Sequence, residues 1–144
     1  MKTPDWLPTY DSGYRGRCPK ESVEQATFFN RLRKEYPDSW GAIATHIKNE
    51  GKRHRYQIDK DRAQGLTKGA SDIIIPGCPS FVCELKRRDR TVSKWQDGQQ
   101  EYLKAAMDCG SFTCVAFGVD QAWLALHDFI DCQSKPTITF PSAS

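Results

Sequence analysis

Asp72, Glu84 and Lys86 sit at the edges of two short apolar runs in the stretch GASDIIIPGCPSFVCELKRR, residues 69 to 88. Carboxylates supply the hard oxygen ligands that a cation such as Mg²⁺ takes, and a lysine beside them adds an ammonium that can hold an anion or move a proton. Whether the three can act together depends on the elements that carry them. Ile73 to Ile75 is β-branched and stops at Pro76-Gly77, a turn signal, and Phe81 to Leu85 follows, so the stretch predicts a hairpin. Because side chains alternate across a strand, Glu84 and Lys86 project from one face with Val82, while Phe81, Cys83 and Leu85 point the other way. A charged pair is then displayed beside a buried sheet.

The rest of the chain supplies elements to pack against that hairpin. Residues 1 to 20 are rich in Pro, Gly and Tyr and read as an irregular N-terminal arm. Ser22 with Gln25 makes a capping-box pattern, and Val23, Ala26, Phe29 and Leu32 keep helical spacing until Pro37. Ala42 to Ile47 alternates as a strand ended by Asn49-Glu50-Gly51. A polar, basic helix or loop then runs to about Gln64, with Gly65 as its C-cap. After the hairpin, Ser93 opens a helix in which Trp95, Gln99, Tyr102, Leu103, Ala106 and Met107 share a face, closing at Gly110. Thr113 to Phe117 reads as a strand. Asp120 caps a last helix with the stripe Trp123, Leu126, Phe129 and Ile130. This order predicts an α/β fold, a mixed central sheet flanked by helices, with a loosely held tail over 131 to 144.

Composition bounds the possibilities. A chain of 144 residues supports one domain with its own core. With 27% charged and 38% hydrophobic residues it reads as a soluble protein, with neither an apolar run of membrane length nor a signal peptide, so it is expected in the cytoplasm with no membrane partner. The six cysteines are accordingly expected as reduced thiols. The spacing Cys78/Cys83 and Cys109/Cys114 raises a zinc reading, but each pair has four residues between its members where a structural knuckle has two, and Cys83 and Cys114 read better as small core residues. The net charge of +3 is unevenly spread: residues 48 to 68 hold seven Lys/Arg against three acids, and 86 to 94 five against one. A charge run is usually a solvated face. Two runs flanking one acidic hairpin point instead to a polyanionic ligand.

An acid before one strand and Glu-x-Lys on the next resembles the core of the PD-(D/E)xK nucleases. The blocks HIKNEGKR at 46 to 53, QGLTKGASDIII at 64 to 75, CELKR at 83 to 87 and SKWQ at 93 to 96, with Leu103 and Gly110 beyond, resemble the VRR-NUC branch of that superfamily in order and spacing over residues 21 to 130. Ser71 stands where the motif's name has proline, whereas Asp72 is retained. The resemblance implies a restriction-endonuclease-like fold and a Mg²⁺- or Mn²⁺-dependent endonuclease acting on DNA. Stand-alone relatives of phage or prophage type further imply a role in replication, recombination or repair, a homodimer, and branched DNA such as a four-way junction as substrate. A non-catalytic nucleic-acid-binding module of the same fold is the alternative.

Phosphodiester hydrolysis needs charge neutralisation on the phosphate and a hydroxide at neutral pH, and a divalent cation held by oxygen ligands supplies both. On the resemblance, Asp72 and Glu84 are ligands and the Leu85 carbonyl is a third. Lys86 holds or deprotonates the attacking water, or stabilises the pentavalent phosphorane, and the residues do not choose among these. Glu24 is a candidate additional acid from the first helix, with Glu21 as the other possibility; an acid in a first turn also simply favours the helix dipole. Gln96 matches the family's S-x-x-Q, although a Gln there also completes a capping box. Lys52, Arg53, Arg55, Arg62, Lys68 and Arg87 are expected on phosphates, with His54 beside them. His46 and His127 read as structural, and the aromatic stripes at Trp95/Tyr102 and Trp123/Phe129 as core.

Overall fold

We describe residues 1–47 and 55–133 of a computed structural model of the chain, without the side chains of Arg55 and Tyr56. Four strands form one mixed sheet in the order β1-β4-β3-β2: β1 is Thr9–Tyr10, β2 Ile73–Ile75, β3 Phe81–Lys86 and β4 Phe112–Phe117. β2 and β3 are the expected antiparallel hairpin, with Ile74 opposite Val82. β3 and β4 run parallel with Glu84 opposite Val115. Helices α1 (Glu21–Glu35), α2 (Trp40–Ile43), α3 (Arg55–Ala63), α4 (Gln99–Asp108) and α5 (Val119–Cys132) complete the architecture.

Alternation along β3 divides the core into two layers. Phe81, Cys83 and Leu85 pack with Phe28, Phe29 and Leu32 of α1 and with Trp123, Leu126 and Phe129 of α5. On the opposite face Val82 joins Leu103 of α4, Val115, Phe117 and Leu7. All six residues of β3 are buried, so Glu84 and Lys86 are carried into the interior by the same alternation that buries their neighbours. The six cysteines are free thiols, and Cys83 and Cys114 face each other in the β3/β4 register inside the first layer.

Five local expectations are corrected. The irregular N-terminal arm holds an unexpected strand: β1 adds to the sheet edge parallel to β4, the Pro8 carbonyl accepts from Val115 N at 3.1 Å, and Leu7 is buried. Proline is tolerated there because an edge strand leaves one row of amides unpaired. Ala42 to Ile47 is not a strand. Gly41 sits so close to the end of α1 that a Cβ would meet the Tyr36 carbonyl oxygen at 2.5 Å, which folds the segment into the short α2. Only Thr45 reaches the sheet, as a single antiparallel bridge to Ile74.

The other three corrections concern helix starts. α1 begins at Glu21 after Lys20, with no side-chain cap from Ser22, and its buried face is Glu24, Phe28, Phe29 and Leu32, leaving Val23 half exposed. α4 begins at Gln99 rather than near Ser93, because Gly98 holds φ +88° and breaks the path. Residues 90 to 92 form a separate 3₁₀ turn capped by Asp89, which accepts from the Thr91 amide. At the last helix, Gly118 takes the cap position and Asp120 lies in the first turn of α5. Lys48, Asn49, Glu50, Gly51, Lys52, Arg53, His54 and the tail from 134 lie outside the described residues.

Candidate metal centre

The hairpin, the start of α1 and the start of α4 converge at the end of β3. Asp72, in the turn before β2, is oriented by the first β2/β3 pairing: its Oδ2 accepts from the Leu85 amide at 2.9 Å. Glu84 and Lys86 follow on β3, 0% and 2% exposed, with Lys86 Nζ 3.6 Å from Glu84 Oε1. Glu21 enters from the first turn of α1. One carboxylate oxygen from each of Glu21, Asp72 and Glu84 lies within 4.8 Å of the others, which is the spacing of groups that can share one cation.

Three acids this close and this buried are not at ease as anions. Burial pushes the Glu84 carboxyl well above its ordinary range, and the neighbouring Asp72 charge pushes in the same direction against the pull of Lys86. Burial likewise raises Asp72, opposed by the hydrogen bond it accepts from the Leu85 amide and by the nearby Lys86. Burial raises Glu21 too, opposed by Lys86. The second Glu84 oxygen, Oε2, is buried with no hydrogen-bond partner among the described residues. A proton shared between the Asp72 and Glu84 carboxyls, or a bound cation, would relieve this arrangement. The donor set is all oxygen and therefore suits a hard divalent ion.

Gln99 is the residue that sequence reasoning missed. Its Oε1 accepts from Lys86 Nζ at 2.9 Å and its Nε2 donates to Glu84 Oε1 at 2.7 Å, so one amide bridges both partners of the buried ion pair. The same Oε1 accepts from the Gln96 backbone amide at 2.8 Å. This is capping-box logic shifted three residues along: Gln96 contributes its main chain, and Gln99 reaches back. A polar residue on the inward stripe with Tyr102 and Leu103 was the available signal. The two turns carrying Asp72 and Gln99 are pressed together where a Cβ on Gly69 would meet the Gly98 carbonyl carbon at 2.3 Å. For the nuclease activity that the sequence resemblance implies, Gln99→Ala should lower turnover roughly 10- to 100-fold by releasing Lys86 and Glu84. Gln96→Ala, which keeps the backbone amide, should stay within about 2-fold; single-turnover cleavage rates would separate the two.

The remaining expectations sort by position. Glu24 is 2% exposed and turned away from the acid cluster: its Oε2 accepts from Val119 N at 2.6 Å, at the start of α5. An orphan amide there gains a carboxylate and the helix dipole a negative charge, which holds α1 against α5. Glu21, one turn earlier, is the acid that reaches the cluster. Arg62 and Lys68 are exposed, Lys68 in an ion pair with Asp97. Arg87 is committed to its own chain, donating to the Pro19 and Cys18 carbonyls at 3.0 and 2.8 Å. Arg90 likewise binds the Met1 carbonyl and Asp11, and Arg88 lies 3.8 Å from Asp120. Arg87 and Arg90 thus fasten the N-terminal segment. The side chain of Arg55, with Lys52 and Arg53, lies outside the described residues.

A cleft of about 560 Å³ opens beside the cluster, lined by Glu21, Gln25, His46, Asp72, Gln96 and Gln99 among others. His46 does more than fill space, since Nδ1 lies 3.0 Å from the Asp72 carbonyl oxygen. No cysteine joins a grouping that could hold a metal among the described residues, and the zinc reading finds no support there. Among the described residues no helix is long and apolar enough to cross a membrane.

No known family's sequence pattern matches this chain, and no curated protein does. Among solved structures, the chain is similar to one described as a VRR_NUC domain protein, with a TM-score of 0.61 and 18% sequence identity over 80% of this chain and 91% of that chain. At that identity the likeness establishes the fold: the chain has the VRR_NUC architecture, a mixed sheet flanked by helices.

Proposed function

We propose that this chain is a divalent-metal-dependent endonuclease that hydrolyses DNA phosphodiester bonds, and that its working form is a homodimer acting on branched DNA in replication, recombination or repair of a phage or prophage. The observation that carries the catalytic reading is the convergence of Glu21, Asp72 and Glu84 on one point beside the buried Lys86 and its partner Gln99, on a VRR_NUC fold. Glu21, Asp72 and Glu84, with the Leu85 carbonyl, would hold Mg²⁺ or Mn²⁺; the orphaned Glu84 Oε2 and the all-oxygen donor set fit such an ion. When bound, the ion supplies charge neutralisation for the phosphate and acidifies water.

The chain's own groups do the positioning. The Leu85 amide fixes Asp72, and Gln99 fixes Glu84 and Lys86 relative to each other. A lysine ammonium has three donors. One goes to Gln99 and one is drawn to Glu84, which leaves the third for a phosphoryl oxygen or the attacking water. That arrangement favours Lys86 as a donor to developing negative charge. α3 presents Lys60 and Arg62 on an exposed surface, and with Lys68 these would follow the phosphate backbone.

The dimer follows from the substrate. One Asp72/Glu84/Lys86 site cuts one strand per encounter, and symmetric incision of a four-way junction within one complex needs two sites related by a two-fold axis. Light scattering and cleavage of a four-way junction, a flap and a linear duplex by the same preparation test this. A dimer that cuts the junction at paired sites, faster than the duplex, is the expected result. A monomer that nicks linear duplex as fast as the junction would leave a general nuclease in its place.

A further inference from the structure

We infer that His46 is a positioning residue for Asp72, and that through Asp72 it sets how tightly the carboxylate cluster holds a divalent cation. The inference rests on the reading of Glu21, Asp72 and Glu84 as the metal site. His46 Nδ1 lies 3.0 Å from the Asp72 carbonyl oxygen. A carbonyl can only accept, so Nδ1 carries the hydrogen and donates it. Asp72 is thereby held at two points by two different elements: its carboxylate by the Leu85 amide of β3, and its main chain by an imidazole from the segment after α2.

A purely structural role would be to dock that segment on the sheet, but the docking is already made. Thr45 N donates to the Ile74 carbonyl at 2.8 Å and the Thr45 carbonyl accepts from Ile74 N at 2.9 Å, a complete antiparallel bridge next door. The His46 bond adds nothing to that bridge and acts on the residue before β2. It does so in the wall of the cleft, where His46 and Asp72 are both lining residues. A carboxylate whose peptide plane is free to rotate loses aim at a shared ion, and groups that orient ligands are commonly worth 10- to 100-fold in affinity or rate.

Two substitutions separate orientation from docking. His46→Ala removes the donor, whereas His46→Asn offers Nδ2 near the place of Nδ1. Binding of Mn²⁺ alone, followed by the paramagnetic resonance of the free ion, and kcat and KM for DNA cleavage are measured on wild type and both variants, with melting temperatures alongside. The expected result is a Mn²⁺ affinity lowered about 10-fold in His46→Ala, kcat lowered with KM within about 2-fold, and most of both recovered in His46→Asn. Wild-type Mn²⁺ affinity in His46→Ala would overturn the inference and leave the metal site standing. Loss of folding in both variants would overturn it in favour of a structural role. A wild-type protein that binds no Mn²⁺ would overturn the metal reading itself, and this inference with it.

Discussion

Asp72→Asn and Glu84→Gln should each lower DNA cleavage about a thousandfold or more while leaving DNA affinity within a few-fold. Each removes a ligand charge and almost no bulk; the lost charge stabilisation is several kcal/mol, and every 1.36 kcal/mol is tenfold in rate. Glu84→Gln carries a second signature. In the variant, the retained carbonyl can still accept from Gln99, and the new amide can donate to Asp72. Because burial raises the folded-state value of Glu84 above its ordinary 4.5, the wild-type side chain favours folding fully only below that pH, and the advantage is lost as pH rises toward the folded value. In the absence of metal the variant should therefore melt above wild type at pH 8, and the gap should close near pH 4. Undiminished cleavage in either variant, or melting below wild type at both pH values, would reject the assignment.

Lys86→Met should lower cleavage roughly 100- to 1,000-fold, the usual effect of removing one donor aimed at developing charge. Methionine preserves the apolar stem that fills the site, and Lys86 is only 2% exposed, so the change tests charge rather than packing. It also leaves Glu84 buried without its cation. Breaking a buried pair on one side costs about 3 to 5 kcal/mol when the remaining charge persists. Glu84 can escape by taking a proton, so the melting temperature of Lys86→Met should fall most at pH 8 and recover toward pH 5. Lys86→Arg should not restore turnover, because a planar guanidinium does not fit a slot built for one nitrogen between Glu84 and Gln99. Full activity of Lys86→Met would remove the residue from the mechanism.

The parts of the site legible in the sequence are those carried by local structure. A β-branched run, a Pro-Gly turn and strict alternation suffice to place Glu84 and Lys86 on one face and Asp72 at the hairpin's entry. Glu21 was harder to choose over Glu24 because the two differ by a single turn. Taking the stripe as Val23, Ala26, Phe29 and Leu32, rather than Phe28, Phe29 and Leu32, rotates α1 enough to exchange their roles. Which face is buried is decided by α5 and the sheet, and Glu24 is drawn inward by the α5 amide it caps.

Gln99 depended on tertiary contact in the same way. S-K-W-Q is a sound helix start until Gly98 is required at positive φ against Gly69, a contact between turns 29 residues apart in the chain. The edge strand β1 arises from a parallel pairing more than 100 residues distant, and no local pattern announces it. Charge counting is blind to tertiary contact in the same way. It counts Arg87 among the groups expected on phosphates and cannot see that Arg87 also donates to the Cys18 and Pro19 carbonyls of the N-terminal segment that this pairing brings alongside.

The central claim is that Glu21, Asp72 and Glu84 form a metal-dependent phosphodiesterase centre. Its most direct test is incubation of the purified chain with end-labelled four-way junction, flap and linear duplex DNA, in EDTA, Mg²⁺ or Mn²⁺, with Glu84→Gln in parallel. The expected result is incision by the wild type in Mg²⁺ or Mn²⁺ alone, none in EDTA, and none by Glu84→Gln in any condition. Cleavage that persists in EDTA, or DNA binding with no incision in either metal, would contradict it, the second outcome in favour of a non-catalytic nucleic-acid-binding module of the same fold.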